Sequence, residues 1–170
     1  MYNVISFYRY TKLEQPAELV ESLKTYCHDN NILGRIFVGL EGINGAASGK
    51  NDVMEQFKLF LQSFFPNLTF REQSYPKHSY HKLIVRERDE ICVFQESTDV
   101  KNTGNHLKPE ELKQLYDSGD DFTIIDARND YEFDVGHFKD AVRLPIKVFS
   151  EFAGQTTQFE HLKEKKIVLY

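Results

Sequence analysis

Asp126, Arg128, Glu132, Gly136 and His137 form the spacing D-x-R-x-x-x-E-x-x-x-G-H. Two carboxylates around one guanidinium suit two kinds of chemistry. One is a planar, charge-assisted ion pair that fixes a loop. The other is a cation held beside a reacting anion such as a thiolate, whose pKa it lowers. The block follows the apolar run Phe122-Thr123-Ile124-Ile125, so Asp126 falls where a buried strand reaches its carboxyl end. Open α/β sheets bind their ligands at that edge. There Asp126 is expected to accept backbone N–H bonds from the following turn. Arg128 either supplies a cation or pairs with Glu132 or Asp126. Gly136 suits a backbone need near the sheet, and His137 suits a hydrogen-bonded structural histidine.

Two further groups invite a functional reading. Between Lys77 and Arg88 lie Lys77, Lys82, Arg86 and Arg88 against one acid, Glu87, with His78, Tyr80 and His81 among them. Together with Arg35, these cations make a candidate RNA-backbone patch with aromatic rings to hand for stacking. The competing reading is a solvated strand edge protected by charge. The segment Glu41-Gly42-Ile43-Asn44-Gly45 has the glycines of an anion loop. It lacks G-x-x-x-x-G-K-[ST], and no helix starts directly after it. A tight hairpin turn is expected there, presenting Glu41 and Asn44 toward a substrate. His78 and His81 have no third ligand at a telling spacing, so no metal site is expected. No flavin, nicotinamide or non-haem iron signature is visible.

Composition narrows the classes. The chain has 170 residues, 41% hydrophobic and 14% aromatic, enough for a buried core and against disorder. Its net charge is −5, so any RNA contact must use a local patch and DNA is not expected as a partner. Cys27 and Cys92 form no C-x-x-C pair, which fits a reduced cytoplasmic setting. Each is expected to pack as a small hydrophobe. No segment has the length of a membrane span, and the first residues do not resemble a signal peptide.

These groups need elements to position them. Asn3 to Tyr10 reads as a strand, followed by a helix entered at Pro16 with Leu19, Val20, Leu23, Tyr26 and Cys27 on one face. That helix is expected to end near Asn30-Asn31. Arg35 to Leu40 and Gly45 to Ser48 read as strands around a turn at Gly42, Asn44 and Gly45. Val53, Met54, Phe57, Phe60, Leu61 and Phe64 make a second amphipathic helix closed by Pro66, and Leu68 to Tyr75 a fourth strand. The order β-α-β-β-α-β predicts a ferredoxin-like α+β domain over residues 1–95. Lys82 to Val85 and Glu90 to Phe94 are further strand-like runs. Residues 96–106 are polar and predict a linker.

Residues 107–170 then predict an incomplete α/β domain. A helix is expected at Pro109 to Tyr116, strands at Phe122 to Asp126, Val142 to Leu144 and Lys166 to Tyr170, and a short turn or helix at Tyr131 to Val135. Phe149, Phe152, Phe159 and Leu162 suit irregular or helical packing. With only these parallel strands, Ile124, Ile125, Val142, Leu144, Ile167 and Leu169 are expected to stay partly uncovered.

The D-x-R…E…G-H block, with Ala141 and Pro145 after it, resembles the first half of a rhodanese domain. Gly34-Arg35-Ile36-Phe37-Val38-Gly39-Leu40-Glu41-Gly42-Ile43-Asn44-Gly45 and Lys82 to Ile91 join to that half in the order of the bacterial tRNA uridine-34 hydroxylases. The chain resembles that family along essentially its whole length. The resemblance implies an acylphosphatase-like first domain and a rhodanese domain whose catalytic cysteine would directly follow Tyr170. It also implies that Asp126, Arg128 and Glu132 support the catalytic loop, that molecular oxygen is the co-substrate, and that the anticodon region of tRNA is the partner. A polypeptide of these residues alone is expected to be inactive. A rhodanese-type sulfurtransferase and a non-catalytic RNA- or protein-binding module remain the alternatives.

Overall fold

The computed structural model describes residues 1–91, 104–162 and 164–170. It comprises two compact units, Met1–Cys92 and Val93–Tyr170. Cys92, the run at 92–94 and the linker positions 96–103 lie outside the described residues.

The first unit begins with β1 (Tyr2–Tyr10), whose alternate residues Ile5 and Phe7 turn into the core. α1 (Pro16–Asp29) opens with proline in its first turn and buries Leu19, Val20, Leu23 and Cys27. It stops at Asn30–Asn31, with Asn31 at φ 51°. β2 (Leu33–Gly39) and β3 (Gly42–Lys50) form an antiparallel hairpin. α2 (Asn51–Phe64) buries Met54, Phe57 and Leu61. β4 (Arg71–Tyr75) and β5 (Leu83–Glu87) complete a sheet of order β4-β1-β3-β2-β5. The first four strands run antiparallel to their neighbours, and β5 adds itself parallel to β2. This is the ferredoxin-like β-α-β-β-α-β arrangement, extended by one strand. Both helices pack their stripes on one sheet face, against Ile5, Phe7, Ile36, Val38 and Val85. Each such side chain contributes about 1.5–3 kcal/mol when fully buried.

Three boundaries differ from the sequence reading. β3 starts at Gly42, and the turn is the two residues Leu40 and Glu41, so Asn44 and Gly45 sit inside the strand. Gly42 has φ 137°, and a Cβ there would lie 1.9 Å from the Arg9 carbonyl oxygen. Only glycine fits that approach. β4 starts at Arg71 rather than Leu68, because Leu68 is used to close α2: its N–H bonds the Phe65 carbonyl and its side chain is buried. Glu90 and Ile91 are not in a strand.

In the second unit, α3 (Pro109–Ser118) ends at Gly119, which takes the left-handed conformation at φ 71°. β6 (Phe122–Asp126) follows, then α4 (Asp130–Val135) and β7 (Val142–Arg143). A 3-10 turn at Phe149–Glu151, α5 (Phe152–Gln155) and a 3-10 segment Thr156–Leu162 lead to β8 (Lys166–Leu169). The three strands are parallel in the order β7-β6-β8. Ile125, Leu144, Ile146 and Leu162 make the core, with Phe152 and Phe159 against it. The expected uncovering is therefore half right. Val142, Ile167 and Leu169 are exposed, whereas Ile124, Ile125 and Leu144 are buried. For Ile125 and Leu144 the cover comes from the aromatic segment between β7 and β8, through Leu162, Phe152 and Phe159.

Candidate functional site

β6 is the central strand of its sheet, and it ends by pointing a carboxylate into the interior. Asp126 is 1% exposed. Four donors compensate that burial. Arg128 supplies Nε at 3.0 Å, Nη2 at 2.6 Å and its backbone N–H at 2.9 Å, and the Tyr170 hydroxyl donates at 2.7 Å. Burial alone would push the Asp126 carboxyl up. The Arg128 guanidinium, the Tyr170 hydroxyl and the Arg128 N–H outweigh it and hold the group below the ordinary aspartate value. The hydrogen bond to Asp126 raises Arg128 further above its already high value. Tyr170 is raised by burial and by its bond to the carboxylate.

Arg128 also reaches forward. Its Nη2 donates to the Gly136 carbonyl at 2.7 Å, and the guanidinium lies 5.1 Å from the centre of the Tyr170 ring. Of the two roles open to Arg128 in the sequence, the planar pair forms, and it forms with Asp126 rather than Glu132. Glu132 instead closes the start of α4, accepting from the Asn129 N–H at 3.3 Å and the Asn129 side-chain amide at 2.9 Å. The pattern Asn129-x-x-Glu132 is a helix-start signature, so this role was open to sequence reasoning. Gly136 sits at φ 168°, an extended conformation, and a Cβ there would meet nothing within 4 Å. The expected backbone need for glycine is absent, because the contribution of this residue is its carbonyl. His137 bonds the Phe133 carbonyl through Nδ1 at 3.0 Å and stacks on the Phe133 ring.

Tyr170 is the residue that sequence reasoning missed. Its hydroxyl donates to Asp126 and accepts the Phe138 N–H at 3.2 Å, and Phe138 packs edge-on against its ring. Pairing between β6 and β8 continues to this position, with Ala127 N–H to Tyr170 O at 2.8 Å. The ends of the two strands are thus level, and the turn 127–138 is bound to both. No local signal marks such a tyrosine, since its partner is 44 positions away.

The other candidates sort differently. Glu41 and Asn44 converge on the backbone of one residue: Glu41 Oε1 accepts the Ile91 N–H at 2.7 Å, and Asn44 Nδ2 donates to the Ile91 carbonyl at 3.1 Å. Rather than being offered to a substrate, their hydrogen bonds hold the chain leaving β5. Arg35 on β2 and Arg86 on β5 are exposed on adjacent strands. Arg88 lies 5.2 Å over the Phe37 ring, and Lys82 sits just before β5 with its carbonyl bonded to Gly34 N–H. The structure therefore brings these four cations together along the β2–β5 side of the first unit. Cys27 is fully buried, and burial pushes its thiol up to about 12, so it is inert as a nucleophile. Among the described residues no helix is long and apolar enough to cross a membrane.

The fold and this strand-end framework define an acylphosphatase-like unit followed by a rhodanese-like unit. Residues 2–91 match the UPF0176 acylphosphatase like domain, and residues 108–170 match the rhodanese-like domain. The chain belongs to the UPF0176 family. It is 35% identical over 175 residues to a Staphylococcus carnosus protein named tRNA uridine(34) hydroxylase, covering 99% of this chain and 55% of that protein. A Bacillus velezensis protein of the same name is 35% identical over 176 residues, covering 99% and 54%. A third, from Staphylococcus saprophyticus, is 37% identical over 175 residues, covering 99% and 55%. The chain thus spans about half the length of the curated relatives it matches.

Proposed function

We propose that the protein carrying this chain hydroxylates the wobble uridine of tRNA in the cytoplasm, with molecular oxygen as co-substrate, giving 5-hydroxyuridine. The observation that carries this reading is the likeness to proteins named tRNA uridine(34) hydroxylase along 99% of the chain. The strand-end geometry supports it. Asp126 and Tyr170 tie β6 to β8, and Arg128 locks the turn 127–136 above them. A residue directly following Tyr170 would emerge beside that locked turn. In this reading Asp126, Arg128 and Glu132 are positioning residues. Chemistry belongs to a thiol at the end of β8, and the buried Cys27 does not replace it.

The rhodanese-like match at residues 108–170 favours one second reading, a sulfurtransferase that passes persulfide sulfur through the same thiol. Expression of the full-length protein in bacteria lacking their own wobble-uridine hydroxylase separates the two. Nucleoside mass spectrometry of bulk tRNA is expected to show 5-hydroxyuridine. Its absence, together with thiosulfate sulfurtransferase activity in the purified protein, would overturn the first reading in favour of the second.

A further inference from the structure

The first unit buries one face of its sheet under two helices, and among its described residues no helix covers the other face. Strand register fixes which residues lie on that open face. Across β1, β3, β2 and β5, Tyr8 pairs with Asn44, Asn44 with Phe37 and Phe37 with Arg86. The neighbouring row is Ser6, Ala46, Arg35 and Ile84. On β4 the same face carries Arg71, Gln73 and Tyr75. Each row of four crosses roughly 14 Å at the usual strand spacing.

Charge is sorted between the two faces. Arg35, Lys50, Arg71 and Arg86 all project from the open face, whereas the two strand acids, Glu72 and Glu87, pair with Ile5 and Val38 and so belong to the helix-covered face. Of the strand cations, Arg9 alone falls on the helix side among the described residues. In a chain of net charge −5, a sheet face with cations and no acid is a local anion-binding surface. It also presents aromatic rings, Tyr8 exposed and Phe37 half-buried. Tyr8 is 62% exposed, and Phe37 lies two strands away under the Arg88 guanidinium. Protection of a strand edge accounts for cations on β4 and β5, but not for Arg35 on the inner strand β2. Both ends of the surface are bounded. His78 packs on the Tyr2 ring and bonds Ser48 at one end, and Ile91 is bound by Asn44 at the other.

We propose that this open face is a stacking platform for single-stranded RNA, in which Tyr8 and Phe37 take bases while Arg35, Arg86 and Arg71 take phosphates. Cations beside aromatic rings match a polyanion whose charges alternate with flat bases. The choice of RNA over single-stranded DNA rests on the proposed tRNA function; the surface itself does not depend on it.

Fluorescence anisotropy of the protein with a labelled single-stranded oligouridine RNA tests this. Tyr8→Ala should weaken binding roughly five- to hundredfold with its salt dependence unchanged, and Tyr8→Phe should retain affinity. Arg35→Gln with Arg86→Gln should reduce the slope of log affinity against log salt by roughly 0.7 for each phosphate no longer bound. Unaltered melting of each exposed-site variant confirms that it folds. No RNA binding, Tyr8→Ala binding like the parent, or equal competition by polyglutamate would overturn the platform, the last assigning the surface to an acidic protein segment. Assay of 5-hydroxyuridine in the full-length protein separates the two proposals. Tyrosine-dependent RNA binding without hydroxylation sustains the platform and removes the proposed function. Normal hydroxylation and normal tRNA binding in the Tyr8→Ala variant do the reverse.

Discussion

The Tyr170 hydroxyl donates to Asp126 Oδ2 at 2.7 Å, and this bond ties the last residue of the chain to the buried end of β6. Removing it leaves a desolvated carboxylate one donor short. Tyr170→Phe in the full-length protein should cost about 1–2 kcal/mol of stability in the second unit. Urea unfolding followed by amide exchange in β6 and β8 checks this. An unchanged midpoint would mean that Arg128 alone satisfies Asp126.

The same carboxylate sets an acid limit. Asp126 is held below its ordinary value, so its contribution is fully present above the unfolded aspartate value of about 3.9 and is lost as pH falls through the lower folded value. Stability of the second unit should therefore fall on acidification below about pH 4, and Asp126→Asn should be less stable at neutral pH but flatter with pH. Chemical unfolding across that range reads both effects. Parallel pH profiles for the two proteins would contradict the assignment.

In the first unit, Glu41 holds the Ile91 N–H and Asn44 the Ile91 carbonyl. Glu41→Ala should raise the amide exchange rate of Ile91 about tenfold, while Glu41→Gln, which keeps an acceptor oxygen, should raise it less. Equal exchange in all three proteins would show that the contact is not held in solution.

Gly42 is a stricter constraint. Gly42→Ala places a methyl group 1.9 Å from the Arg9 carbonyl oxygen at a φ that alanine rarely adopts. A loss of about 2 kcal/mol or more is expected in thermal unfolding, concentrated in the first unit. A melting temperature equal to that of the parent would require the β1–β3 pairing to shift.

These sites show what was legible in the sequence. Leu19, Val20 and Leu23, and likewise Met54, Phe57 and Leu61, fixed both helices, because a helical stripe is written in local spacing. The Asp126–Arg128 pair was legible as one of two roles, since it spans only two positions. Glu132 carried a helix-start pattern that was readable but assigned to the wider loop. The turn before β3 was misplaced because the demand on Gly42 comes from Arg9, thirty-odd residues earlier on another strand. Glu41, Asn44 and Tyr170 owe their roles to partners 44 to 50 positions away, and no periodicity encodes such pairs. The sorted charge of the open face was hidden for the same reason, because Arg35 and Arg86 become neighbours only through β2–β5 pairing.

The central claim, that the protein carrying this chain places oxygen on the wobble uridine, is tested most directly by isotope transfer. Purified full-length protein is incubated with unmodified tRNA under heavy-isotope dioxygen, and the wobble nucleoside is read by mass spectrometry. The account predicts 5-hydroxyuridine bearing the heavy oxygen. Unmodified uridine, or a uridine that has gained sulfur instead, would contradict it.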